Sequence, residues 1–504
     1  MRRFRTIAQL QVTQQQVKTI SRLSPTAWIT VQTVSEQTIG VVLFAVQAAL
    51  LGPHAFGLFS LVMVFIGFCE FVLGLAAAEA LISIRTIEAL HYQTMTTLNL
   101  VISLVLGVAV FGASNQIARL FSEPELGAVL RWMALLPLLS AFCAAPLAAS
   151  KRELRFRPIA LRSIAGLVAG GVVGLALALL GAGVWSLVAQ AMVQRSVSAI
   201  VLWAAVPLKV RLVVSLRHFQ DLQRFAATMM LSRTMNWASA QLPRLALGFF
   251  LGAVDLGLFS LAARLSDILF QVLLEPKVSV ARIELRRYHG SPEGLEAAMQ
   301  QLFRQMSLVC FPLCIGAAAV VPLLFHAWLD PRWFGAIPIA QMLMLMGIPC
   351  VTLYCTSALL LALNLQKWEA LISTVQTLAS VLAVVCFARF GIVAVAAALA
   401  LRPMLLLPLP VLLLKRTCRL PLRLIIRTQI PALVAAATMG CAVYFAGLAV
   451  ESLIGSVADL LIMTALGAVG YVALIALTMP GYSRPLLKRV LRQCQGLSRS
   501  PNPG

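Results

Sequence analysis

The stretch Gly57-Leu58-Phe59-Ser60-Leu61 recurs, letter for letter, as Gly257-Leu258-Phe259-Ser260-Leu261. The offset is 200 residues, and Leu51-Gly52 and Leu251-Gly252 share it. A second echo lies further along. "GAGVWSLVAQ" (181–190) and "RFGIVAVAAA" (389–398) place Gly183 and Gly391 208 residues apart. Each echo stands at the head of a long apolar run. Two echoes at nearly one offset predict a chain built from two similar halves of roughly 200 residues, followed by an unrepeated end.

Composition identifies the solvent of those halves. Of 504 residues, 60% are hydrophobic and 12% are charged, and the mean hydropathy is +0.92. A soluble domain carries about 25% charged residues. A helix needs about 20 apolar residues to cross a bilayer. Runs of that kind fall near 27–50, 56–83, 94–114, 126–149, 159–180, 184–206, 226–250, 256–280, 303–325, 336–363, 368–388, 391–414, 429–449 and 454–478. They are long and continuous, not alternating, which argues against a β-barrel. The predicted fold is all-α, with fourteen transmembrane helices.

The basic residues orient them. With the N-terminus in the cytoplasm, 30 of the 40 Lys and Arg fall in cytoplasmic segments. Three (Arg119, Arg332 and Arg389) fall outside, and seven fall within spans. That alternation follows the positive-inside rule and puts both termini in the cytoplasm. The net charge of +22 is then an orientation signal with some attraction for membrane lipid. Nucleic acid is not needed to explain it. The lead, with Arg2, Arg3, Arg5, Lys18 and Arg22 before a long polar stretch, is not expected to be a cleavable signal peptide.

Six spans per half is an even number, so both halves run in the same direction, a parallel repeat. The predicted organisation is a cytoplasmic segment 1–26, a six-helix bundle 27–206, a basic linker 207–225 and a second bundle 226–414. A basic loop 415–428, helices thirteen and fourteen within 429–478, and a cytoplasmic tail 479–504 complete it. Gly52, Pro53 and Gly57 suit a tight outer turn between the first two helices.

"LGPHAFGLFSL" (51–61), "LGAVDLGLFSL" (251–261), "KRELRFRPIAL" (151–161), "GVWSLVAQ" (183–190) and "DPRWFGAIPIAQML" (330–343) stand in the order and spacing of a known family. With them the chain resembles, over nearly its whole length, the polysaccharide flippases of the multidrug, oligosaccharidyl-lipid and polysaccharide exporter superfamily. One stretch departs from that pattern. In "QLPRLALGFFLG" (241–252) the family often has an acidic residue near the start, where this chain has Pro243 and Arg244. That argues against a cation site there. The resemblance implies alternating access in a bacterial inner membrane. It implies a polyprenyl-diphosphate-linked oligosaccharide as cargo, moved from the cytoplasmic to the outer leaflet, and polymerase or export proteins as partners.

Charges inside spans are costly and mark function. Seven are basic (Arg131, Arg195, Arg233, Arg244, Arg264, Lys277 and Arg402) and six are acidic (Glu36, Glu70, Glu79, Asp267, Glu275 and Asp459). Arg233 and Arg244 are eleven residues apart, about three turns, so they share a helical face with Trp237 between them. Arg264, Asp267, Gln271 and Glu275 form a polar stripe on span eight. Such faces are expected to line a wet cavity. For the cargo the resemblance implies, Arg233, Arg244, Arg264 and Arg402 are the expected phosphate ligands, because guanidinium offers a planar fork of donors. Trp237 is placed to stack on a sugar. Pro403 is expected to break the helix after Arg402. Arg131 and Arg195, nearer span ends, are expected to snorkel.

The opposing reading is that these charges fasten helices, with Arg264 and Asp267 as a pair. Glu36, Glu70 and Asp267 are candidates for coupling to H+ or Na+, or for balancing arginines. No metal site is expected, since Cys310 and Cys314 have no His or carboxylate at ligand spacing. No cofactor is expected either. The absence of GxxxxGK[ST] excludes an ATP-driven pump on this chain. An ion-coupled multidrug exporter and a membrane glycosyltransferase or polymerase remain as alternatives. The short outer segments weigh against the enzyme, and the basic excess within spans weighs against a cationic drug.

Overall fold

A computed structural model describes residues 24–76, 89–206, 213, 215–288, 291–418, 422–450, 467 and 470–471. Expectations for the 454–478 span, most of 1–26, most of 207–214 and the 479–504 tail lie outside the described residues. Every regular element among the described residues is helical. In order they are α1 (Pro25–Leu50), α2 (Pro53–Ala76), α3 (Ala89–Leu120), α4 (Pro124–Met133), α5 (Leu136–Arg152), α6 (Phe156–Leu179) and α7 (Val184–Ala205). Then come α8 (Leu216–Leu273), α9 (Glu275–Arg286), α10 (Pro292–Trp328), α11 (Ala336–Leu345), α12 (Gly347–Ala362), α13 (Gln366–Phe387), α14 (Ile392–Leu406), α15 (Pro408–Cys418) and α16 (Leu422–Val450). Short 3-10 turns, Pro331–Trp333 and Ala388–Phe390, precede α11 and α14.

Among the described residues, twelve helical runs are long and apolar enough to cross a membrane. One of them, Trp237–Arg286, is 50 residues long, about 75 Å if straight. No bilayer core accommodates that, and the run turns at Gly252, where φ is 84° and ψ is −179°. It therefore carries both the seventh and eighth predicted spans, so the twelve runs make thirteen spans. The protein is a multi-pass membrane protein. Four predicted spans are interrupted, the eighth of them at Leu274, just before Pro276. The fourth breaks at Ala134–Leu135 before Pro137, and the tenth at Met346 before Pro349. The two prolines are 212 residues apart, a third echo of the repeat. In the twelfth, Pro403 does not break the helix as expected. α14 runs through it, and the interruption comes at Leu407, just before Pro408.

The helices group into two compact units, residues 1–51 with 62–233, and 52–61 with 234–504. In the first, α1 lies along α6, α6 along α7, and α3 against α4 and α5. Gly166, Gly170 and Gly174 line the α6 face that meets α7. A Cβ on Gly170 would reach 2.7 Å from the Gln190 carbonyl. Small residues at four-residue spacing let membrane helices approach this closely. In the second unit, α10 packs on α11, α12 and α16. Phe303, Phe311, Cys310, Cys314, Val351 and Cys355 are fully buried there as core.

The repeated pentapeptide meets itself in the second unit. A Cβ on Gly57 would run into the Ala253 carbonyl, and one on Gly257 into the Pro53 carbonyl. Ser60 Oγ donates to Ser260 Oγ at 2.9 Å. This contact explains why residues 52–61 group with the second unit and not with the rest of α2. "DPRWFG" joins them. Trp333 is fully buried and meets Phe56 edge-on at 5.5 Å. Gly335 lies against Leu258, and the Arg332 side chain lies over Gly52. Asp330 accepts from Arg332 Nε at 2.9 Å. Hydrogen bonds from that side chain hold the Asp330 carboxyl below the usual carboxylate range.

The second echo also has a structural meaning. Gly183 (φ 57°, ψ −132°) and Gly391 (φ 87°, ψ 173°) each cap the N-terminus of a helix, α7 and α14. That backbone region belongs to glycine. Neither position is crowded, so the cost of a side chain there is conformational. Gly391→Ala should destabilise the protein by about 1–3 kcal/mol, read as a lower unfolding temperature in detergent, with no local repacking.

Candidate functional site

Polar side chains gather at one place in each unit. In the first, Glu70 of α2 accepts from Arg195 Nη2 at 2.7 Å and from Ser140 Oγ at 3.0 Å. Glu36 accepts from Gln32 Nε2 at 2.9 Å, and Gln32 also donates to Ser163 at 3.3 Å. Arg162 of α6 hydrogen-bonds Cys143 and lies within electrostatic reach of Glu36 and Arg195. Arg195, expected to snorkel, forms an ion pair instead. A carboxylate one helix away holds it, because an ion pair in the membrane is cheaper than an isolated charge. Two guanidinium groups face two carboxylates, so the group is neutral by count. Arg162 escaped the sequence reading because it ends the basic run of 151–162 and was counted with the loop. The signal was available, since it lies three residues past Ile159, where the apolar run begins.

In the second unit the balance is different. Arg244 Nη2 lies 3.6 Å from Asp267 Oδ2, with the two side chains 35% and 45% exposed. Arg264 is within electrostatic reach of the same carboxylate. The direct ion pair is thus Arg244–Asp267, in place of the expected Arg264–Asp267. The turn at Gly252 makes it possible, by folding the two parts of α8 so that residues 23 apart meet. Trp237 lies two turns before Arg244 on the same helix and is half-buried. Arg233 lies in α8, and its side chain is outside the described residues.

Arg402 is tied elsewhere. Its Nη1 donates to Ser380 Oγ and lies 3.4 Å from the Gln376 carbonyl, both on α13. Its Nε is buried without a hydrogen-bond partner. α13 links it to the tryptophan segment, since Thr377, one turn from Ser380, hydrogen-bonds Ser239. A further connection was not foreseen. Tyr354 of α12 lies within electrostatic reach of Cys350, Glu275 and Asp267, and Cys350 within reach of Arg402. Nothing in the apolar sequence around Tyr354 marks it; only the packing of α12 does. Arg244 and Arg264 thus share Asp267, while Arg402 connects to them only through Cys350 and Tyr354. In this set three arginines stand against two carboxylates, an excess of one that the Glu36, Glu70, Arg162 and Arg195 group lacks. The set suits an anionic group with several acceptor oxygens. Among the described residues, no group of three His, Cys, Asp or Glu is arranged to hold a metal ion.

Comparison with known proteins identifies the family. A family model described as "Polysaccharide biosynthesis protein" matches residues 46–338. The chain is similar to the succinoglycan biosynthesis transport protein ExoT of Rhizobium meliloti (strain 1021). The two are 28% identical over 310 residues, 61% of this chain and 63% of that one. It is also similar to the lipopolysaccharide biosynthesis protein WzxC of Escherichia coli (strain K12), 25% identical over 342 residues, 65% of this chain and 67% of that one. The alignment to ExoT spans less than two thirds of that relative. In fold, the chain is similar to the lipid II flippase MurJ in an inward closed conformation. The TM-score is 0.70 at 12% identity, covering 91% of this chain and 99% of that one. An inward-facing multidrug resistance MATE family transporter of the MOP superfamily gives 0.60 at 16% identity, over 79% and 98%. At these identities the likeness is one of fold.

Proposed function

The chain belongs to the polysaccharide biosynthesis protein family, and we propose that it is a flippase for a polyprenyl-diphosphate-linked oligosaccharide. It acts by alternating access in a bacterial inner membrane, carrying the headgroup from the cytoplasmic to the outer leaflet. It is a transporter and not an enzyme. The observation that carries the reading is the pair of arginines, Arg244 and Arg264, at Asp267, joined by Arg402 through Cys350 and Tyr354, so that three arginines stand against Asp267 and Glu275. In a medium of low dielectric such an excess attracts an anion strongly, and a diphosphate is the anion that a lipid-linked sugar presents. Arg244, Arg264, Arg233 and Arg402 hold the diphosphate, and Trp237 stacks on the first sugar. The names of ExoT and WzxC support this cargo class.

Deletion tests it. Cells lacking the protein should accumulate the lipid-linked oligosaccharide on the inner leaflet and lose the surface polysaccharide. Normal surface polysaccharide in those cells would end the proposal.

Asp267 and Glu70 serve in this reading as partners of Arg244 and Arg195. A second reading, coupling to H+ or Na+ through Glu36, Glu70 or Asp267, is favoured by Glu70, whose side chain stays 27% exposed despite its ion pair. Export by Asp267→Asn and Glu70→Gln separates the two. Uncoupling from an imposed ion gradient supports coupling, and unchanged gradient dependence supports the fastening role.

We also infer cytoplasmic termini. Cysteine placed at Ser122 or Arg332 should react with a membrane-impermeant maleimide from outside, and at Leu154 it should not. Labelling of residue 154 from outside would overturn the orientation.

A further inference from the structure

A groove of 430 Å³ opens on the first unit between α3 and the break that separates α4 from α5. Its floor is made of small residues, Gly107 and Ala134, whose backbones approach closely. A Cβ on Gly107 would lie 2.9 Å from the Ala134 carbonyl. Its walls are the exposed apolar side chains of Leu104, Val108 and Phe111 on one side and Trp132 on the other. One charged residue stands in this lining, Arg131.

Arg131 is held in place and left charged. Its Nε donates to Ser114 Oγ at 3.3 Å and its Nη2 to Asn115 Oδ1 at 2.5 Å. Both partners are neutral. Among the described residues Arg131 makes no ion pair, unlike Arg195 and Arg244. A guanidinium has five donors, and these two hydrogen bonds leave most of them free for a ligand in the groove. An uncompensated cation against apolar walls at membrane depth is costly unless an anion joins it.

Depth identifies the anion. Arg131 is seven residues from Pro124 at the α3–α4 turn, about 10 Å down the helix. The Lys and Arg balance assigns that turn to the outer face. The phosphates of a bilayer lie near this level, where the polar region meets the hydrocarbon. From Phe111 to Leu104 the groove continues about 10 Å further toward the midplane, the direction of an acyl chain.

We propose that this groove binds an anionic glycerophospholipid of the outer leaflet, with its phosphate on Arg131 and one acyl chain along α3. The site lies in the first unit, and it does not depend on which cargo the protein moves.

The test uses the full chain in lipid nanodiscs, with phosphatidylglycerol carrying a photoreactive group in one acyl chain. Adducts should map to residues 104–111 and 131–138. They should exceed those of a matched phosphatidylcholine probe by at least about fivefold. Arg131→Gln should remove that preference and Arg131→Lys should keep part of it. Val108→Trp, which fills the groove and leaves the charge, should suppress labelling by both probes. Thermal unfolding of each variant separates loss of the site from loss of the fold, and the Lys and Trp variants decide if the Gln variant does not fold. Equal labelling by both probes, or a preference that survives Arg131→Gln, would overturn the proposal. So would displacement of the phosphatidylglycerol probe by a polyprenyl phosphate, which would give the groove to the cargo.

Discussion

Arg244→Gln should lower export about ten- to hundredfold, the effect of losing one charge-assisted contact to phosphate worth roughly 1.5–3 kcal/mol. The fold should survive. Asp267 would lose the partner 3.6 Å away but keep Arg264 within electrostatic reach, so the change strands no buried carboxylate. Arg244→Lys should recover only part of the activity, because an ammonium cannot reproduce the bidentate fork. The measurement is surface polysaccharide in a complemented deletion strain, normalised to the amount of folded protein in the membrane. Normal export by the Gln variant would reduce Arg244 to a fastener of helix to helix.

Gly57→Ala should be more damaging to the structure than any single charge change. The added methyl would occupy the position of the Ala253 carbonyl oxygen and press on the Gly257 amide. Backbone cannot rotate away as a side chain can, so the helices must separate. Overpacking of a tight site costs about 1–3 kcal/mol and occasionally more. The Ser60–Ser260 hydrogen bond and the Phe56–Trp333 contact depend on the same approach. Gly257→Ala should behave the same way, since its methyl meets the Pro53 carbonyl. Gly40→Ala is the control. No atom lies within 4 Å of its new methyl, and alanine is the better helix former. Folded yield and unfolding temperature in detergent read all three. A Gly57→Ala protein as stable as the Gly40→Ala protein would mean that the two pentapeptides do not meet.

These two cases mark what the sequence could and could not say. The offset of 200 residues was legible in the letters of 57–61 and 257–261, and it announced a repeat. That the copies touch was not legible, because a repeat places its elements at equivalent positions without requiring them to meet. Gly183 and Gly391 were legible only as an echo 208 residues apart; that both cap a helix with positive φ shows only in the structure. The prolines at 137 and 349 escaped the first comparison, because the residues around them differ, and only the matching helix breaks show their equivalence.

In the site, the face shared by Trp237 and Arg244 followed from helical periodicity alone. Partner choice did not. Which carboxylate meets Arg195 or Arg244 depends on how helices separated by more than twenty residues pack. Hydropathy also hid Arg162, since a window that begins an apolar run at Ile159 treats the arginine after it as the end of the preceding loop.

The positive patch of the second unit is proposed to move a diphosphate-linked lipid. Reconstitution tests it most directly. Proteoliposomes holding the full chain would be loaded with a short-chain polyprenyl diphosphate bearing a labelled sugar, and a membrane-impermeant enzyme added outside would modify the sugars that reach the outer leaflet. Wild-type protein should expose the inner pool, Arg244→Gln should do so at the slow rate of empty liposomes, and neither should move a neutral lipid-linked sugar of the same chain length. Equal movement of the neutral and the diphosphate lipid, or equal rates for wild type and Arg244→Gln, would contradict it.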